Sequence, residues 1–118
     1  MARKITIERR EKLAGSGIDF FVVLNLTRSE FEQKVGIRAF GAKSQFLRES
    51  KQVFPLANGE TITIKTTGGS NSFFIVAFPS DGSIFSQRIF VDVRESDVRY
   101  TVTLKLGLFR NQFVFDKL

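Results

Sequence analysis

The acidic residues Asp92, Glu95 and Asp97 form the tightest grouping of carboxylates in the chain. Hard cations such as calcium want several oxygen ligands, so a loop carrying three carboxylates is the first place to look for a metal. The spacing matches no EF-hand loop, however, and Asp is favoured in turns for bonding its own backbone. A turn is therefore expected there, with no metal and no cofactor. Paired-carboxylate hydrolysis would need both members to converge in a cleft, and the sequence gives no sign of one. Gly15-Ser16-Gly17 and Gly68-Gly69-Ser70 have the composition of phosphate-cradling loops. A phosphate loop must open a helix whose N–H groups face the anion, and strand-like residues follow both. With no Cys and no His in 118 residues, thiolate chemistry, zinc ribbons and Ser-His-Asp catalysis are excluded. The expectation is a protein without catalysis.

Charge offers a second kind of chemistry. The formal net charge is +6, and the excess of Lys and Arg is concentrated in residues 1–52. Arg9, Arg10, Arg28, Lys34, Arg38 and Lys43 are the candidate residues for a surface that takes a polyanion such as nucleic acid. Basic residues also solubilise proteins and guard sheet edges, so nucleic acid is the second reading. Arg38-Ala39-Phe40-Gly41 begins like the RNA-recognition octamer, but the later apolar positions fall on Ala42, Lys43 and Gln45 and fail. The chain has 14 Phe, most at apolar strand positions, where they are expected to build core.

The elements that must position these residues are mostly strands. Ile18, Phe20, Val22, Leu24 and Leu26 alternate with Asp19, Phe21, Val23 and Asn25, which gives one apolar face and a second, partly apolar one. Val98, Tyr100, Val102, Leu104 and Leu106 alternate with polar residues, the pattern of an antiparallel strand with one wet side. Turn residues at Asn58-Gly59, Gly68-Gly69-Ser70-Asn71, Pro79 to Ser83 and Arg94 to Asp97 separate such runs at sandwich-like spacing. Seven or eight strands are predicted: 3–13, 18–26, a short one near 35–40 or 52–56, 60–67, 72–78, 84–93, 98–106 and 112–116. Loops between 60 and 106 are too short for crossover helices, which predicts a meander of hairpins there. At this length one domain, residues 1–118, is expected to bury roughly two-thirds of its unfolded surface.

Residues 27–52 read as an insertion. Ser29 is placed to cap a helix and Glu32 to complete a capping box, with Phe31 and Val35 on one face and Gly36 as the stop. A short helix near 29–36 follows, and a second turn of helix is possible through 44–50. Phe21, Val23 and the doubly apolar run Phe73 to Phe78 need a cover, because soluble proteins rarely expose patches of that size. Either the 27–52 segment covers that face or another subunit does.

Leu13-Ala14-Gly15-Ser16 leading to Phe21 to Asn25, then Leu56-Ala57-Asn58-Gly59-Glu60 before strand 61–65, and the Gly-led turn at 68–69, resemble small bacterial PEGA-type β-sandwich modules. The resemblance implies a surface or accessory interaction role without catalysis, and it transfers no site residue. The fold class expected is all-β, an Ig-like or prealbumin-like antiparallel sandwich with a short helical insertion. The role expected is a non-enzymatic interaction module, partnered by a protein or by its own copy. No apolar stretch reaches the length of a membrane span, and no export signal is read at the start, so the cytoplasm is the expected compartment.

Overall fold

The computed structural model describes residues 3–10, 17–35, 50–66, 69–78, 84–93, 97–105 and 112–118. The strands are β1 (Arg3–Arg9), β2 (Asp19–Leu24), β3 (Val53–Leu56), β4 (Thr61–Thr66), β5 (Ser70–Phe78), β6 (Ile84–Phe85), β7 (Ile89–Asp92), β8 (Val98–Lys105) and β9 (Gln112–Lys117), with one helix, α1 (Arg28–Val35), between β2 and β3. They form an all-β sandwich. A 4-stranded sheet runs β4-β1-β8-β9, and a 5-stranded sheet runs β3-β2-β5-β6 with β7 also on β5.

Alternation decides which side chains meet between the sheets. Ile5 and Ile7 on β1, Ile64 on β4 and Val98, Tyr100, Val102 and Leu104 on β8 face Phe20, Val22, Phe73, Ile75, Ala77 and Val91 of the other sheet. Phe73 meets Tyr100 and Phe115 edge-on, with ring centroids 5.5 and 5.9 Å apart. These are the edge-to-face geometries that ring quadrupoles favour.

The second face of β2 and β5 carries its own cluster. Phe21, Val23, Phe74, Val76 and Phe78 are buried there under Phe31 and Val35 of α1. Phe31 lies edge-on to Phe74 at 5.7 Å and to Phe85 at 6.2 Å. The insertion therefore covers the sheet face within the chain. Its capping differs from the expectation, because the box is built on Thr27 rather than Ser29. Thr27 Oγ1 accepts from Glu30 N at 3.1 Å, and Glu30 Oε1 accepts from Thr27 N at 2.9 Å. Glu32 instead pairs with Arg28 one turn back, at 2.7 Å. Two overlapping Ser/Thr-x-x-Glu frames compete here. The earlier one is formed, and Glu32 is left to pair with Arg28. Gly36 and the suggested turn through 44–50 lie outside the described residues, save Ser50.

Three other expectations are corrected. The stretch from 60 to 106 is not a meander: β4 pairs β1 in one sheet, whereas β5 pairs β2 in the other. A short connection can arch between sheets as readily as fold back within one, so loop length alone could not decide. β8 is neither wholly antiparallel nor wet along its whole polar side, since it runs parallel to β1 and antiparallel to β9, and Thr101 on that side is buried. Leu26 also leaves the face of Phe20 and Val22 and joins the cluster under α1. Asn25 has φ 57°, a left-handed residue that ends the alternation after Leu24.

Candidate functional site

At the end of β2 that meets the start of β5, side-chain amides replace ladder bonds. Asn25 N donates to Ser72 O at 2.7 Å, Ser72 N donates to Asn25 Oδ1 at 2.9 Å, and Asn25 Nδ2 donates to Asn71 Oδ1 at 3.0 Å. Asn tolerates the left-handed conformation and can bond nearby backbone, which is why this residue type fits the corner.

Across β5, the edge formed by β6 and β7 is interrupted. Val76 and Ala77 pair β6, and Ser70 to Phe73 pair β7, with two residues, Gln87 and Arg88, set against Phe74. This is a β-bulge. Ser86 holds it: Ile75 N donates to Ser86 Oγ at 2.7 Å, and that hydroxyl donates to Gln87 O at 2.8 Å. The extra residue turns Arg88 onto the outer face. There Arg88 Nε donates to Ser72 Oγ at 2.8 Å, and its guanidinium stands 5.0 Å from the ring centroid of Phe90.

Asn25, Ser70, Asn71, Ser72, Arg88 and Phe90 together line an open recess of about 210 Å³. Its floor is fixed, for Asn71 and Ser72 are buried and no buried side-chain polar atom among the described residues lacks a partner. Its rim is apolar and cationic: Phe90 is 73% exposed, the most exposed of the large apolar side chains described. The arrangement offers guanidinium donors beside an aromatic face on a rigid edge. That suits holding a partner group, and it contains no nucleophile paired with a base.

The residues proposed for a polyanion surface are not gathered here. Arg9 is corrected outright, being only 4% exposed and pointing between the sheets. Its Nη1 donates to Leu56 O at 2.9 Å and its guanidinium carbon lies 3.6 Å from the ring centroid of Phe20. Desolvation lowers its pKa, partly countered by Asp19. Position 9 shares the parity of Ile5 and Ile7, a signal that was present in the sequence. Arg10 is exposed and falls on the outer side of the other sheet, by the same alternation. Arg28 and Lys34 are exposed on α1, with Arg28 stacked 3.9 Å from the centroid of Phe85. Arg10 and α1 thus belong to opposite outer faces. Arg38 and Lys43 lie outside the described residues. Of the carboxylates, Asp97 accepts from Lys4 N at 2.9 Å and ties β1 to the start of β8, while Glu95 is outside the described residues. No group of three metal-ligating side chains occurs among the described residues.

Comparison with known proteins adds little. No protein-family model matches the chain, and no curated protein matches it. Among solved structures, the chain is similar to the T6SS lipoprotein TssJ1 from Pseudomonas aeruginosa, with TM-score 0.43 and 15% identity, over 100% of this chain and 96% of that one. No helix among the described residues is long and apolar enough to cross a membrane.

The recess residues were missed in the sequence. The signal available was Phe90 on the polar parity of its strand, between the inward-facing Ile89 and Val91.

Proposed function

We propose that this protein is a non-enzymatic interaction module that holds a protein partner at the edge of the five-stranded sheet, around the recess next to α1. The observation that carries this reading is Phe90, 73% exposed beside Arg88 on a fixed strand. Phenylalanine and arginine are among the residue types enriched in protein interfaces. The resemblance to PEGA-type modules implies the same kind of role. A benzophenone side chain placed at Phe90, and a control at Thr63 on the other sheet, test it in cells that make the protein. Defined protein adducts at position 90 and none at 63 are expected. No adduct at 90, or the same adducts at both positions, overturns the proposal.

A further inference from the structure

The edge of β7 has a property that its individual residues do not reveal. Val93 N donates to Gly69 O at 2.9 Å, and the register pairs Asn71 with Val91 and Phe73 with Ile89. Bonded pairs alternate with non-bonded ones along an antiparallel ladder. The N–H and C=O of Phe90 therefore point away from β5, toward the side on which no described strand pairs β7. The outer-face side chains along that edge are Arg88, Phe90 and Asp92. This order is self-complementary: set antiparallel against its own copy and centred on Phe90, it puts Arg88 opposite Asp92, Phe90 opposite Phe90, and Asp92 opposite Arg88. On the inner face the same register sets Ile89 against Val91.

Resting on the interaction-module reading, we propose that the partner is a second copy of this chain, joined edge to edge through β7 in an antiparallel, two-fold register centred on Phe90. A two-fold contact requires a patch that is complementary to itself, and opposite charges directly across a strand pair favour the register while like charges oppose it. The other edges lack this order. β3 presents the exposed Pro55 at a position facing away from β2, where a proline removes the donor an added strand would need. β4 carries Lys65, exposed beside Lys4 in the register. β9 exposes Val114, but no two-fold self-pairing of it sets opposite charges across the strands among the described residues.

Sedimentation equilibrium over a concentration series, on the full chain, tests the proposal through charge exchange. Arg88→Asp and Asp92→Arg each place like charges across the junction twice, and each should weaken the dimer at least tenfold. The double variant Arg88→Asp/Asp92→Arg restores opposite charges and should recover most of that loss. Amide hydrogen exchange on the unaltered protein gives a second readout that needs no variant. The Phe90 amide should exchange fast when dilute and become protected as concentration rises. A monomer at all concentrations to about 1 mM overturns the proposal. So does a double variant no better than the singles, or protection that appears along β9 instead of at Phe90. Should the chain remain monomeric while the cross-linker at position 90 captures a different protein, the self-pairing fails and the interaction-module reading stands.

Discussion

The guanidinium of Arg9 lies 3.6 Å from the ring centroid of Phe20, inside the sandwich, with Leu56 O accepting from it at 2.9 Å. A cation stacked on an aromatic ring and bonded to a carbonyl ties the end of β1 to β2 and β3 across the two sheets. A residue expected to be a surface charge is therefore a structural crosspiece.

Arg9→Ala should cost about 2–4 kcal/mol, because it removes a buried hydrogen bond to Leu56 O and leaves a cavity over Phe20. Arg10→Ala, one residue on and exposed, should change stability by less than about 0.5 kcal/mol. Chemical denaturation of the two variants checks the contrast, and equal effects would show that Arg9 is not held inside.

Phe31 is fully buried between α1 and the sheet. Phe31→Ala should destabilise the monomer by about 3 kcal/mol, as truncation of a buried aromatic does, and should expose the faces of Phe74 and Phe85. Increased binding of a hydrophobic dye, together with the lower denaturation midpoint, is the expected pair of readouts. An unchanged midpoint would mean that the helix is peripheral.

The parity of β8 gives another contrast. Val102 is fully buried between the sheets whereas Thr103 is half-buried on the outer side. Val102→Asp should cost about 3 kcal/mol or more and unfold much of the population. Thr103→Asp should cost roughly 0.5 kcal/mol. Circular dichroism across a thermal ramp separates them.

Thr27→Ala removes the cap of α1 and should cost about 1 kcal/mol. The Glu30 carboxyl is held below its ordinary pKa, chiefly by the backbone hydrogen bond from Thr27 and then by the Thr27 hydroxyl. A carboxylate whose pKa is lower in the folded state adds stability above its unfolded pKa and loses it as pH falls through the folded value. Acid titration of thermal stability should therefore show a component below the ordinary carboxylate range that Glu30→Gln abolishes.

Nucleic acid should bind weakly and without sequence preference, because Arg9 is internal and Arg10 follows a strand of the four-stranded sheet, whereas Arg28 and Lys34 are on α1 over the five-stranded one. Fluorescence anisotropy should show binding at low salt that is gone by about 150 mM, as expected when few phosphates are neutralised. Tight binding that persists at that salt, and that Arg28→Glu with Lys34→Glu removes, would revive the polyanion reading.

Strands and faces were legible because burial imposes a period of two on each of them, and Phe20, Phe21, Val102 and Tyr100 all sit where that period puts them. Pairing was not legible, since alternation says which face is wet and nothing about the neighbour. The arch from β4 to β5 and the parallel approach of β8 to β1 both depend on contacts far apart in the chain. The site was hidden for a related reason. It depends on a bulge held by the hydroxyl of Ser86 and on a corner at Asn25, and each is a local departure from regular alternation.

The parallel pairing of β1 with β8 also bears on how the chain reaches this fold. Lys4 must find Asp97, and Ile5 must find Val98, across most of the sequence. The pieces β2, α1, β3 and β5 lie closer together in sequence. Long-range pairings are slow to form because loop closure comes before any contact rewards it. During synthesis the inner face of the five-stranded sheet, with Phe20, Phe73 and Ile75, therefore waits with β1 and β4 as its only cover among the described strands until residues 98–105 have left the ribosome. That interval, rather than the finished sandwich, is when this Phe-rich chain is most open to aggregation and to capture by chaperones.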